Sequence, residues 1–286
     1  MKHSYLHITI LSICILFSTF ALSARKVNSY KGKVKDGYNF WLSEPDDNGE
    51  AKPLLLFLHG ASLCGNNLDR VRRYGPLDAM EKGRKIDAFV LAPQNNGGSW
   101  NPQKVKRVVD WVFENYKVDK NRVYVLGMSL GGYGVIDFVS TYPDDIAAAM
   151  ALCGGGTGSN LASLNNVPLW IIHGLADRAV TVSESDRVVN IMKKADKKTP
   201  RLLYDKVPGM NHADPARFLY LNETYQWLMS HNLMDEGRPV SKGFKITPEL
   251  TKRAYMGLRS GGSNAKAVKK TGTSRKKSAR KRSKRK

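Results

Sequence analysis

The chain has 286 residues, of which 42% are hydrophobic and 9% are aromatic. This length allows one large core, and this composition excludes a chain that is disordered throughout. The formal net charge of +21 is uneven, because residues 241–286 hold 17 Lys or Arg against one acid, a net of +16, and the other residues share +5. The basic character therefore belongs to the C-terminal tail and not to the rest of the chain.

The first residues have the pattern of an export signal. Lys2 precedes an apolar stretch over residues 8–22, and small residues suited to cleavage lie near position 23 or 24. The stretch is shorter than the ~20 residues of a spanning helix, which favours cleavage over a membrane anchor or a buried helix. We expect a signal peptide over residues 1–24, no transmembrane segment after its cleavage, and a secreted, periplasmic or cell-surface protein that begins near Arg25.

The cysteines leave two interpretations open. Cys14 lies in the expected signal peptide, whereas Cys64 and Cys153 remain in an oxidising setting, each in a loop after a predicted strand. An even pair in such a setting is typical of a disulfide. The alternative is two buried thiols that never meet.

The predicted elements begin with an antiparallel pair and continue as strands and helices in turn. Alternating residues over 27–43, interrupted by Asp36-Gly37, predict a β-hairpin. Repeated strand–helix alternation predicts a mostly parallel sheet with helices on both faces, an α/β fold with the layout of an α/β-hydrolase. The predicted strands are 53–59, 88–92, 122–126, 147–152, 168–172 and 202–204, and the predicted helices are 68–80 with a break at Gly75-Pro76, 105–113, the segment after Ser129 up to Pro143, 188–192 and 218–228.

The chain divides into three expected parts. After the signal peptide, residues 25–234 form the catalytic domain, and residues 235–286 form a basic C-terminal extension. A short helix is expected within 247–258, with Pro248 in its first turn. From about position 261 the extension has too little apolar surface to offset the entropy of ordering, so we expect it to be disordered.

The most informative turn is Gly127-Met128-Ser129-Leu130-Gly131. A predicted strand precedes it and a predicted helix follows it, which is the pattern of a nucleophile elbow with Ser129 at the apex. Strand and helix approach closely there, so side chains two positions from the serine would clash. Glycine at both of these positions supports Ser129 as a nucleophile.

A nucleophilic serine needs a base and an acid that orients the base, and on this fold both follow the serine in chain order. Asp177 lies just past the strand 168–172, and His212 lies in the loop after the next strand. Successive parallel strands bring their following loops to one edge of the sheet, so the three residues are expected to converge. Asp205 lies within a strand and Asp214 follows the histidine, which makes both weaker candidates.

The other histidines fit structural roles. His59 and His173 each precede glycine at a strand end, a place typical of buried structural histidines. His231 lies at the end of a helix in a polar stretch, where we expect it to be solvated.

The loop after strand 53–59 and the start of the elbow helix are expected to form an oxyanion hole. The backbone N–H of Leu130 is one predicted donor, and that of Ala61 is the other, with Ser62 as the alternative. Gln94 and Trp100 leave a strand on the same edge and are candidate substrate contacts, although a core position for Trp100 remains open.

The connection after Cys153 is short. About a dozen small polar residues separate Gly154 from Val167, too few for a cap domain. An uncapped site suits a bulky or polymer-attached ester.

These motifs together resemble the exported predicted-peptidase or esterase group of the α/β-hydrolases, which is similar to the phospholipase/carboxylesterase, polyhydroxybutyrate-depolymerase and feruloyl-esterase families. The resemblance covers roughly 53–228. It implies serine ester hydrolysis with neither metal nor organic cofactor. Ser62-Leu63-Cys64 departs from the group's pattern, in which a Gly-Glu-Arg type sequence precedes Gly65, and the basic tail departs too. The resemblance rests on 56–61, 65–68, Gly75-Pro76, 92–94, Trp100, 127–132 and 153–156.

The sequence therefore predicts an exported serine esterase acting through a Ser-His-Asp triad and an acyl-enzyme, with acyl or feruloyl esters on polysaccharide among its candidate substrates. A serine peptidase with the same triad is the near alternative. From another class, the tail suggests a surface protein that binds nucleic acid or an anionic surface polymer. The tail has no aromatic residue past Tyr255, which argues against base stacking.

Overall fold

A computed structural model describes residues 25–259. The expected signal peptide and the region expected to be disordered from about 261 both lie outside the described residues.

Eight strands form one sheet in the order β1-β2-β4-β3-β5-β6-β7-β8. β1 pairs antiparallel with β2, β2 pairs antiparallel with β4, and the strands from β4 to β8 are parallel. The central strands are buried along nearly their whole length, which explains their continuous apolar runs. The strand bounds are β1 Val27–Tyr30, β2 Asn39–Ser43, β3 Lys52–Leu58, β4 Phe89–Gln94, β5 Val118–Met128, β6 Ala148–Leu152, β7 Leu169–Gly174 and β8 Leu202–Val207.

The helices cover both faces of this sheet. One buried cluster joins one face to α1, α5 and α6, and a second joins the other face to α2, α3 and α4. The predicted α/β-hydrolase architecture, a mostly parallel sheet between two helical layers with an N-terminal antiparallel pair, is confirmed. The helix bounds are α1 Pro76–Glu81, α2 Pro102–Asn115, α3 Leu130–Thr141, α4 Ser183–Ala195, α5 Asn222–Met229 and α6 Pro248–Lys252.

The N-terminal pair differs from the predicted hairpin in its turn. The first strand ends at Tyr30, which pairs with Phe40, and residues 31–38 form the connection. Gly32 has a φ of +61° and its N–H donates to the Asn39 side chain, so the chain leaves the strand well before Asp36. The Asp-Gly pair therefore lies inside a longer loop.

The last predicted helix, 218–228, is also divided. A 3₁₀ turn over Asp214–Tyr220 ends at Leu221, whose backbone is extended with φ −76° and ψ 135°, and α5 begins at the next residue. The apolar spacing continues across the break, but the extended Leu221 divides the predicted helix into two elements.

Only 3₁₀ turns and loop separate β6 from β7 in the described chain, so no cap domain is inserted there. Among residues 25–259, no helix is both long and apolar enough to cross a membrane.

Candidate active site

Ser129 lies between the last residue of β5 and the first residue of α3. Its φ of +58° and ψ of −122° are unusual for a residue with a side chain. Such backbone strain is found at sites where the surrounding structure holds a residue in one orientation. The turn presents Ser129 at the carboxyl edge of the parallel strands.

The glycines of this turn are required by the close approach of strand and helix. A Cβ on Gly127 would overlap the carbonyl oxygen of Gly131 in α3, and one on Gly131 would overlap the carbonyl oxygen of Leu58 at the end of β3. Real Cβ atoms do not make such contacts with backbone. The predicted reason for glycine at these two positions is therefore confirmed.

Ser129, His212 and Asp177 are joined by two hydrogen bonds. The Oγ atom of Ser129 lies 2.9 Å from Nε2 of His212, and Nδ1 of His212 lies 2.7 Å from Oδ2 of Asp177. A carboxylate only accepts, so Nδ1 carries the proton and donates a hydrogen bond to Asp177. Nε2 is then free to accept the hydrogen of the serine hydroxyl.

The three residues reach this point from three loops at one edge of the sheet, as the sequence predicted. The Asp177 side chain is inaccessible to solvent, whereas the side chain of His212 is 30% exposed. Asp177 is therefore enclosed, and His212 is accessible to solvent.

Asp177 is kept ionised by its surroundings. Burial alone would raise the pKa of this carboxyl, but hydrogen bonds from His212 and from the backbone N–H groups of Val180 and Ala179 outweigh it, so the pKa lies below its ordinary value. Both backbone bonds are 2.9 Å long and end on Oδ1. They leave Oδ2 to accept the hydrogen bond from Nδ1 of His212.

Asp205 and Asp214, the two weaker candidates for the acid, have other hydrogen-bond partners. Asp205 accepts from the indole N–H of Trp170 and pairs with Lys242, and Asp214 accepts from the backbone N–H of Asn211. Asp214 thereby shapes the turn that carries His212.

Two of the remaining histidines are fully buried, as predicted. His173 contacts Ser185 and the carbonyl oxygen of Val180, and His59 lies between Gly60 and Asn95. His231, expected to be solvated, instead packs edge-on against Trp227 and donates from Nδ1 to the carbonyl oxygen of that residue. The helix end that carries it lies against the protein, which explains the difference.

Two backbone N–H groups are available beside Ser129. Leu130 is the first residue of α3, and Ala61 is the first residue of a 3₁₀ turn over Ala61–Leu63. The first N–H groups of a helix have no partner within it. Neither group has another acceptor among the residues that the structure describes.

Tyr74 holds the Ala61 loop and was missed by sequence reasoning. Its hydroxyl accepts a 2.9 Å hydrogen bond from the N–H of Gly60, the residue before Ala61. A Cβ on Gly60 would contact both this hydroxyl and the Cβ of Ser129, so Tyr74 borders the site. Only the fold brings it there, and no motif in the sequence indicates it.

Gln94 and Trp100, the candidate substrate contacts, are both buried in this structure. Their exposed fractions are 2% and 4%. Gln94 donates to the carbonyl oxygen of Leu63, and Trp100 donates to that of His59. Both side chains support the loop beneath Ala61 instead of lining a cleft, and Trp100 takes the core position that was left open.

Cys64 and Cys153 are both free thiols. Of the two alternatives, a disulfide or two separate thiols, the structure therefore has the separate thiols. Cys153 is buried, and burial raises the pKa of its thiol to about 12.

Comparison with solved structures identifies the fold. A thermostable esterase matches with a TM-score of 0.59 at 23% identity, over 73% of this chain and 63% of that one. The chain is an α/β-hydrolase by fold. No protein-family model matches it.

The chain also has relatives by sequence among curated enzymes. A bifunctional acetylxylan esterase/xylanase from Neocallimastix patriciarum is 25% identical over 54% of this chain and 23% of its own length. A poly(3-hydroxyalkanoate) depolymerase from Paucimonas lemoignei is 36% identical over 36% of this chain and 28% of its own. The similarity thus spans about a quarter of each relative. The predicted resemblance to esterases and polyhydroxybutyrate depolymerases is confirmed.

Proposed function

We propose that this α/β-hydrolase is an exported serine esterase that hydrolyses carboxylic esters through an acyl-enzyme on Ser129. The observation that carries the proposal is the unbroken hydrogen-bonded chain from Ser129 through His212 to Asp177, with distances of 2.9 and 2.7 Å. Export rests on the N-terminal sequence alone.

The first half of the reaction forms the acyl-enzyme. Oγ of Ser129 attacks the ester carbonyl carbon while Nε2 of His212 takes its proton. The negative charge that develops on the carbonyl oxygen is met by the N–H groups of Leu130 and Ala61, and one such donor is worth about 2.7–4 kcal/mol. Asp177 stabilises the imidazolium, which then gives its proton to the leaving alcohol.

The second half releases the acid. Water gives a proton to Nε2 of His212 and attacks the acyl carbon, and the proton then returns to Oγ of Ser129 as the bond to the acyl group breaks. The exposed fraction of His212, 30%, gives water access to the base.

A polymer-attached ester fits the open site. The connection between β6 and β7 contains no inserted domain. Acetylated or feruloylated polysaccharide is therefore the proposed substrate class, and the similarity to an acetylxylan esterase supports it.

Labelling with a fluorophosphonate probe tests the nucleophile. The native chain should be labelled, and Ser129→Ala should not be. Labelling that persists in this variant would overturn the assignment of Ser129.

A substrate panel tests the reaction class. Short acyl esters, feruloyl esters and peptide amides are compared at equal concentration, with Ser129→Ala as the background control. We expect ester cleavage, and a preference for amides would favour a serine peptidase.

The basic tail is proposed to attract an anionic surface polymer. Its support is the net +16 of residues 241–286. Affinity of this kind falls steeply with salt. Deleting residues 261–286 should reduce retention on heparin at low salt, and unchanged retention would contradict the proposal.

A further inference from the structure

The thiol of Cys153 lies beside Asp177 and His212 and has no part in the proposed reaction. Each of Cys153, Asp177 and His212 offers one atom that can bind a metal ion, and these three atoms lie within 4.8 Å of one another. They supply one sulfur, one carboxylate oxygen and one ring nitrogen. Cys153 and Asp177 are buried, and His212 is partly exposed.

The backbone fixes the position of this thiol. Cys153 follows β6 with a φ of +41°, and its N–H donates to the carbonyl oxygen of Ile172 at 2.9 Å. Its Sγ atom lies 4.0 Å from the carbonyl oxygen of His212. The thiol is therefore directed toward the loop that carries His212.

We propose that Cys153, Asp177 and His212 form a binding site for a soft divalent cation such as zinc or cadmium, and that the bound ion inhibits the enzyme. Zinc bonds of about 2.0–2.3 Å to nitrogen, oxygen and sulfur place tetrahedral ligand atoms roughly 3.3–3.7 Å apart. Small side-chain movements reach this spacing from the present one. The fourth position is left for water.

The charges of the site match such an ion. Asp177 is ionised, and Cys153 becomes a thiolate when the ion displaces its proton to solvent, so two negative charges meet two positive charges. A buried ion needs this neutralisation. The sulfur and imidazole donors select zinc and cadmium over magnesium and calcium, which prefer oxygen ligands.

Inhibition follows from the tautomer of the histidine. Nδ1 of His212 is the nitrogen that faces Asp177. An ion on Nδ1 moves the imidazole proton to Nε2, where it points at Oγ of Ser129. The ring then has no lone pair left to accept the serine proton. This inhibition rests on the proposed hydrolase function, whereas binding of the ion does not.

Cadmium binding tests the site without reference to activity. The untagged full chain with Cys14→Ser and Cys64→Ser keeps Cys153 as its single thiol, because the sequence has three cysteines. Cadmium should produce a sulfur-to-metal ultraviolet absorbance with one ion per chain. Adding His212→Ala to this protein should weaken cadmium binding by about tenfold or more. Absence of the absorbance, or no effect of the histidine change, would overturn the site.

Zinc inhibition tests the consequence. With p-nitrophenyl acetate as substrate, Cys153→Ser should raise the half-inhibitory zinc concentration by about tenfold or more, measured against its own metal-free rate. Cys64→Ser should leave it unchanged, and magnesium should not inhibit. Equal zinc sensitivity of native chain and Cys153→Ser would overturn the role of the thiol. A chain that binds cadmium but cleaves no ester would contradict only the proposed function.

Discussion

Gly131 of α3 lies against the carbonyl oxygen of Leu58, the last residue of β3, so closely that a Cβ on the glycine would overlap this oxygen. β3 also leads into the loop that carries Ala61. One contact between backbones therefore sets the distance between the nucleophile turn and the proposed oxyanion loop.

Gly131→Ala should separate these two segments. Because the obstacle is backbone and not a flexible side chain, we expect a loss of about 3 kcal/mol or more in the free energy of unfolding, in the range of other strained core changes. Ester hydrolysis should fall with it. Urea unfolding and kcat measurements check this.

Gly158→Ala is the matched control. The nearest atoms to its Cβ are Oγ of Ser140 at 3.3 Å and Oδ1 of Asp137 at 3.5 Å, both on side chains. This variant should change stability by about 1 kcal/mol at most. If both variants were equally stable, the close approach at Gly131 would not be what the site depends on.

Asp177→Asn should leave the fold intact and remove most of the activity. The amide can donate a hydrogen bond to Nδ1 of His212, which turns the imidazole to the tautomer with its proton on Nε2. Loss of the correct tautomer costs about 10⁴-fold in kcat in a well-studied serine protease. A kcat within tenfold of the native value, with an unchanged circular dichroism spectrum, would remove Asp177 from the proposed triad.

Most of the sheet and the triad order could be predicted because each depends on local pattern. Continuous apolar runs mark buried strands, and the residues directly after them reach one edge. This rule predicts the edge that Asp177 and His212 share with Ser129, which the glycine-flanked turn identifies, but it predicts no distances.

Side-chain direction could not be predicted in the same way. Gln94 and Trp100 leave the correct edge, yet their side chains turn into the core, where the carbonyl groups of Leu63 and His59 need donors. No sequence motif indicates Tyr74, because its role depends on the tertiary contact between its hydroxyl and the N–H of Gly60. Whether Cys64 and Cys153 form a disulfide depends on the distance between them, which the sequence does not give.

His59 should make the protein less stable as the pH falls from 6.5 to 4. Burial lowers its pKa to about 4, partly opposed by the bond to Gly60. Nδ1 donates to the Gly60 carbonyl and Nε2 accepts from the Asn95 N–H, so the neutral ring satisfies both contacts. Between pH 6.5 and 4 the imidazole binds a proton in the unfolded chain but not in the folded chain. At pH 4 this difference lowers the free energy of unfolding by about 3 kcal/mol.

Comparison with His59→Gln isolates this contribution. The free energy of unfolding is measured in urea between pH 7 and 4 for both proteins. The native chain should lose more stability than the variant across this range, since glutamine does not titrate. Parallel curves would show that His59 does not carry the pH dependence.

Tyr74→Phe should slow the reaction without weakening substrate binding. The change removes the acceptor of the Gly60 N–H and so loosens the loop that presents Ala61. A neutral hydrogen bond contributes about 0.5–1.5 kcal/mol, so kcat should fall roughly fivefold. KM should remain near the native value, and a change in KM alone would place Tyr74 in binding rather than in support of the oxyanion loop.

The segment from Arg238 to Leu258 packs onto the domain although it was assigned to the extension. The guanidinium of Arg238 donates to the carbonyl groups of Ile146 and Ala147, just before β6. Phe244 packs at a tilt against Trp170, with ring centroids 4.6 Å apart. Tyr255 packs at a tilt against Tyr220 at the same distance, at the end of the turn that follows His212. The segment therefore supports the turn that directly follows the loop of the proposed base, His212.

Two truncations separate this segment from the rest of the tail. A chain that stops after Glu236 loses these contacts and the buried side chains of Leu250 and Ala254, so its melting temperature and kcat should both fall clearly. A chain that stops after Arg259 keeps every one of them and should match the full chain in both measurements. If the two truncated proteins melted at the same temperature and turned over esters at the same rate, residues 237–259 would be dispensable for holding His212 in place.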